Sequence, residues 1–135
     1  LAVDLPAAAE PVPAPSGEAI DPSARTAITS ATTRDAGVLR DADGLARLTG
    51  VLAAVPRRSG TVLDLAAVET TALHTAATLL ATAASSRPES RGCHRRTDAP
   101  GTRPEWRVRL VHRMDGGGRL HIRTEPVRSL DLVVA

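Results

Sequence analysis

The sequence contains no lysine, asparagine, glutamine, phenylalanine or tyrosine, and its 135 residues include one tryptophan, one methionine and one cysteine. Each absence excludes something. Without Phe and Tyr, an interior must be built from Leu, Val and close alanine contacts, and 24 alanines are present to make them. With Cys93 alone, an internal disulfide is excluded, and a reducing, cytoplasmic location is the expectation. No run reaches the roughly 18 apolar residues of a membrane span. The longest candidate, residues 72–84, is interrupted by His74, Thr75, Thr78 and Thr82. The first residues lack the basic start of a secretory signal and carry Asp4 and Glu10 where its apolar stretch would lie. They open on Leu1, which reads as a piece of a longer protein.

What is present bounds the rest. A hydrophobic content of 42% supports one folded domain of this length, and all 17 basic residues are arginine. Their distribution is uneven. Residues 1–86 hold six arginines against nine acids, whereas residues 87–128 hold eleven against five. A basic segment of that kind can bind nucleic acid, meet an acidic surface, or stay solvated.

Residues 1–22 are rich in proline and alanine and read as an extended linker. Asp21-Pro22-Ser23 is a helix start, with Asp21 able to accept free amide hydrogens and Pro22 suited to the first helical position. A first helix is predicted over 23–35. Asp41 caps a second, over 42–55, which carries Leu45, Leu48, Val51, Leu52 and Val55 at steps of three and four and stops at Pro56. Arg57-Arg58-Ser59-Gly60 then reads as a turn. A third helix is predicted over 62–86, burying the stripe Leu65, Val68, Ala72, Ala76, Leu79 and Ala83, with Pro88 barring its continuation. Beyond it the period changes to two. Residues 107–112 and 119–123 alternate around Gly116-Gly117-Gly118, the pattern of a β-hairpin, and 130–134 could form a last strand. The fold class predicted is mainly α: a helical domain over 23–106, then a hairpin and tail over 107–135.

Catalytic and metal chemistry find little here. Cys93 and His94 are adjacent, but His74, His112 and His121 lack the paired spacing of a structural zinc site. Neighbouring residues rarely orient as nucleophile and base, so Cys93 is read as filler. The glycine run lacks the Lys and Ser/Thr of a phosphate-binding loop. An arginine-rich polyanion-binding module stays open, since Arg87, Arg91, Arg95, Arg96, Arg103, Arg107 and Arg109 could neutralise phosphates. Against it, Trp106 is the one aromatic available for stacking, and Glu89, Asp98 and Glu105 are interleaved with the arginines. No catalytic, cofactor-binding or metal-ligating residue is assigned.

The interleaved segment resembles a known signature. Arg87, Glu89, Ser90, Arg91, Gly92, His94, Arg96, Asp98 and Pro100 match the R-T-E-S-R-G-x-H-x-R-x-D-x-P segment of the succinate dehydrogenase, fumarate reductase and L-aspartate oxidase flavoproteins. Trp106 stands where that family places a Trp. Ala36-Gly37-Val38-Leu39-Arg40-Asp41 with Gly44-Leu45 is similar to its A-G-[VI]-[VL]-R-x-x-x-x-L element, and Glu69, Leu73 and Thr75 to the start of its third helix. Pro88 replaces a usual Thr, Ala72 a usual Asn, and Thr32 a common Met. The resemblance covers about residues 23–112, and the short ending is closer to the L-aspartate oxidase members than to the succinate dehydrogenases and fumarate reductases.

The resemblance implies a spectrin-repeat-like three-helix bundle at the C-terminus of an FAD-dependent enzyme. In L-aspartate oxidase members, hydride moves from the Cα of L-aspartate to the flavin, giving the iminoaspartate that quinolinate synthase consumes on the way to NAD; oxygen or fumarate reoxidises the flavin. The flavin-binding glycines and catalytic groups of the family lie upstream of this region, so the implied role is structural. The signature would form a charge-assisted latch against the flavin-binding part of the same enzyme. Neither a membrane nor a nucleic-acid partner is expected.

Overall fold

The computed structural model describes residues 18–59, 64–116 and 119–127. The chain is mainly α with short strands: β1 (Ala19–Ile20), α1 (Arg25–Asp35), β2 (Leu39–Arg40), α2 (Ala42–Ala54), β3 (Arg57–Arg58), α3 (Leu65–Ser85), β4 (Arg95–Arg96), β5 (Val108–Met114) and β6 (Leu120–Pro126).

Local chemistry sets the helix starts. The Asp21 carboxylate accepts the Ser23 amide hydrogen at 2.9 Å, and Pro22 opens a turn of 3-10 helix that leads into α1. Asp41 accepts from the Gly44 amide at 2.7 Å to begin α2. The third helix starts later than predicted because Asp64, accepting from the Ala67 amide at 2.7 Å, is its cap. Helix α2 ends at Ala54, where Pro56 holds Val55 extended.

The three helices share one core of Ile20, Ala24, Ile28, Ala31, Ala36, Leu45, Leu48, Leu52, Ala77, Ala81 and Ala84, with Val51, Val55 and Leu73 half-buried against it. Among the described residues, eight of the thirteen buried apolar ones are alanine, so the helices approach closely. The expected stripe on the third helix is corrected here. Leu65 is 74% exposed and Val68 49%, and Ala72 and Ala76 are exposed as well. The buried face of α3 is instead Ala67, Thr70, Ala77, Ala81 and Ala84. It is turned inward because small side chains let α1 and α2 come close, and the two bulky residues fall on the outer side. His74 belongs to this packing: its Nε2 meets the Leu52 carbonyl at 3.0 Å and ties α3 to α2.

The strands are short clasps. β1 pairs antiparallel with β3, Ala19 opposite Arg58, so residues 57–58 form a strand where a turn was expected. Ala19 and Ile20 are buried, and the Ile20 amide donates to Thr71 Oγ1 at 2.9 Å; the segment read as linker therefore joins the fold by residue 19. β2 pairs parallel with β4, Leu39 opposite Arg95. β5 and β6 pair antiparallel from Val108↔Pro126 to Met114↔Leu120, around a connection in which Asp115 accepts the Arg119 amide hydrogen. The strand expected over 130–134, Gly117 and Gly118 of the turn, and most of the proline-rich lead-in lie outside the described residues. No described helix is long and apolar enough to cross a membrane.

Candidate functional site: an ion-pair network in the segment after the third helix

Where α3 ends, residues 87–106 fold over the helix ends on hydrogen bonds to charged groups. Glu89 is the centre. Its side chain is fully buried, and its carboxylate accepts from Arg87 Nη1 at 2.6 Å, from Arg91 Nε and Nη2 at 2.8 and 3.1 Å, and from the Arg103 amide at 2.7 Å. The Arg91 bonds above all, then the Arg103 amide and Arg87, overcome the effect of burial and hold this carboxyl down from 4.5 to about 2. Arg87 spends further donors on the Trp106 and Val108 carbonyls, at 2.8 and 2.7 Å, and its guanidinium sits 5.8 Å from the Trp106 ring centre. The signature's Trp is thus the lid over its first Arg.

A second pair closes the other side. Arg96, nearly buried, grips Asp98 through Nε and Nη2 at 2.8 and 2.6 Å and sends Nη1 to the Ala84 carbonyl at 3.1 Å. Asp98 in turn accepts the Ala42 amide hydrogen at 3.0 Å. One guanidinium–carboxylate fork therefore joins the C-terminal end of α3 to the N-terminal end of α2, favourable at both ends of the peptide dipoles. The Arg96 bonds, against burial and with help from the Ala42 amide, hold the Asp98 carboxyl well below its usual range.

Ser90 and Gly92 shape the backbone between the pairs. Ser90 is buried; its hydroxyl accepts the Arg96 amide hydrogen at 2.8 Å and lies 2.9 Å from the Ala99 carbonyl. Arg91 and His94 exchange backbone bonds of 2.8 and 3.0 Å across a tight turn, and Gly92 supplies its φ of +57°. His94 then bridges two arginines. Its Nδ1 lies 3.1 Å from Arg40 Nη1 and its Nε2 3.0 Å from the Arg87 carbonyl. Guanidinium can only donate and a carbonyl only accept, so the ring carries its proton on Nε2. Burial, opposed by the Arg87 carbonyl and assisted by the charges of Arg40, Arg96 and Arg87, lowers His94 from its ordinary value. Pro100 is exposed, as is Cys93.

The signature residues except Pro100 thus meet in one network or its supporting turn, and their acidic partners belong to the same segment. Sequence reading did not place Arg40 in it, although Arg40 stands in the A-G-V-L-R element; its Nε holds the Ala36 carbonyl at 3.1 Å. Gly37 belongs to the same device, since a Cβ there would lie 2.7 Å from the Thr33 carbonyl oxygen. Buried Asp35, paired with Arg34 and Arg47 at 2.6 and 3.1 Å, was also missed, its partners being one and twelve positions away. Among the described residues, no three His, Cys, Asp or Glu side chains gather as metal ligands. Nor do the described residues fit a flavin dinucleotide: no described strand passes through a glycine turn into a helix, and Gly92 serves the Arg91–His94 turn.

A helical domain closed by this arginine-rich segment defines a class, and the family model for the fumarate reductase flavoprotein C-terminal region matches residues 63–134. The chain belongs to that family. Among curated relatives it is similar to the L-aspartate oxidase of Mycobacterium leprae (strain TN), 44% identical over 81 residues, which are 60% of this chain and 15% of that protein. It is also similar to the L-aspartate oxidase of Caulobacter vibrioides (strain ATCC 19089 / CIP 103742 / CB 15), 39% identical over 111 residues, 82% of this chain and 19% of that protein. The chain spans less than a fifth of the length of either relative.

Proposed function

We propose that this chain is the C-terminal domain of an FAD-dependent L-aspartate oxidase and that its own role is structural. The observation that carries the reading is the family signature built as a closed ion-pair network, together with two L-aspartate oxidases as relatives. In the complete enzyme, FAD would supply hydride acceptance from L-aspartate, and segments other than this one would hold it. Here the contribution of residues 87–106 is rigidity. They fix the ends of α2 and α3 and present the exposed Val38 and Leu39, 80% and 62% accessible, as an apolar surface for the flavin-binding part. The bundle-like packing of α1, α2 and α3 suits such a supporting domain. The same arginines speak for a protein contact over a polyanion track, because Arg87, Arg91 and Arg96 are already engaged by Glu89 and Asp98.

The reading is tested by expressing the complete reading frame that contains this segment. Bound flavin absorbance and peroxide formation dependent on L-aspartate are the expected results. A purified product that holds flavin and oxidises succinate instead would transfer the assignment to the succinate dehydrogenases; one with no flavin would overturn it.

A further inference from the structure

One cleft combines features that the network does not use. It holds about 250 Å3 and is bounded by Arg40, Leu80, Arg87, His94, Leu110 and His112, over alanines of α3. Both ring nitrogens of His112 are buried and have no hydrogen-bond partner. An orphaned imidazole of this kind is costly and points to a missing partner. Arg40 bonds to the Ala36 carbonyl and to His94 and has no carboxylate partner among the described residues, so part of its donor fork is unspent. The nearby acid Glu89 is fully engaged by Arg87, Arg91 and the Arg103 amide. The lining therefore has two guanidinium groups, two imidazoles and no acid.

We propose that this cleft is a carboxylate-binding site, with Arg40 as the charged fork and an N–H of the His112 ring as the second donor. His94 is a positioning residue, because its Nδ1 accepts from Arg40 and its Nε2 is anchored on Arg87. The Leu80 and Leu110 walls suit the hydrocarbon stem of a small carboxylate and offer nothing to inorganic phosphate. The volume admits a small dicarboxylate or one acidic side chain and is too small for a dinucleotide. The site stands independently of the oxidase reading.

The test is a titration of the chain with succinate, at ionic strength held constant with sodium chloride, following the histidine ring nitrogens by NMR. A saturable change at His112 is expected, with His121, which pairs with Asp115 at the hairpin turn, unmoved. Arg40→Ala should weaken binding about tenfold or more. Inorganic phosphate should bind more weakly than succinate. Should Arg40→Ala fail to fold, Leu110→Glu places a carboxylate in the wall and should abolish the succinate response, whereas Leu110→Gln should retain it. The same spectra of the longer protein separate the sources. A His112 signal already displaced there, insensitive to succinate and returned to its free position by Arg40→Ala, identifies an acidic side chain of that protein as the occupant. His112 unmoved by succinate in the chain and undisplaced in the longer protein would overturn the proposal, as would binding unaffected by Arg40→Ala, or equal responses to phosphate and succinate.

Discussion

The helical core and the segment that follows it are held by opposite means. The core relies on burial of small apolar groups: alanines at the helix contacts, with Ile20, Ile28, Leu45, Leu48 and Leu52 as its bulk. Each such contact is non-directional and modest, so the core tolerates changes of shape better than losses of volume. Residues 87–106 bury a carboxylate and a guanidinium, and their stability depends on every partner being present. A thin core and a charged clasp are complementary. The clasp joins helix ends that a few alanine contacts would leave free to splay.

The largest expected effect tests the clasp. Glu89→Ala removes the acceptor shared by Arg87, Arg91 and the Arg103 amide, and leaves the largely buried Arg87 guanidinium without its carboxylate. A loss of about 3–5 kcal/mol in urea or thermal unfolding is expected. A loss under about 1 kcal/mol would place the network with exposed ion pairs and remove the contrast.

Leu48→Ala makes the matching cut in the core. Leu48 is fully buried among α1, α2 and α3, and its removal should cost about 2–5 kcal/mol. If Leu48→Ala proves nearly silent while Glu89→Ala unfolds the chain, the clasp alone carries the fold.

Acid should separate the two regions, since the apolar core does not titrate. The folded Glu89 value of about 2 lies below its ordinary 4.5, so the unfolded chain takes up protons first as pH falls. The stabilisation is complete above about 4.5 and is lost between there and about 2. His94 acts in an earlier window. It too is depressed from its ordinary 6.5, so melting temperature should begin to fall as pH drops through that value. His94→Gln should abolish the upper step and leave the lower one; persistence of both would assign the upper step to another group.

Smaller still is the helix cap. Asp41→Ala leaves the Gly44 amide without its acceptor, yet Asp98 still holds the Ala42 amide. A cost of about 1 kcal/mol is expected by thermal melting, and a larger one would show that the two carboxylates act as a unit.

What was legible in the sequence follows the range of the interactions. Asp21 and Asp41 were readable as caps because a cap and its amide lie within three residues. The mixed-sign signature was readable for the same reason: Arg91 reaches Glu89, and Arg96 reaches Asp98, two positions away. The bonds from Arg40 to His94, from Ala42 to Asp98 and from Arg96 to Ala84 span 54, 56 and 12 positions, and no local pattern announces them. The inner face of α3 failed for another reason. Alanine is apolar but small, so a helix rich in it shows apolar stripes on several sides, and hydropathy alone favours the side with Leu65 and Val68. Close packing selects the opposite side, where small residues predominate and Leu73 is the bulky exception.

That reversal gives the smallest expected effect. Leu65 lies in the first turn of α3, just after the Asp64 cap, with 74% of its surface exposed. Leu65→Ala removes little buried area and exchanges one good helix former for a slightly better one, so stability should change by no more than about 0.5 kcal/mol. Were the predicted stripe the true inner face, the same substitution would open a cavity and cost about 2–5 kcal/mol. The two arrangements of α3 thus differ severalfold in a single unfolding measurement. The comparison with Leu48→Ala, the same chemical deletion at a fully buried position, controls for helix propensity and for the unfolded chain. A silent Leu65→Ala beside a costly Leu48→Ala leaves the Leu65–Val68 side of the helix outside the core, where bulky apolar residues contribute nothing to the fold of this domain.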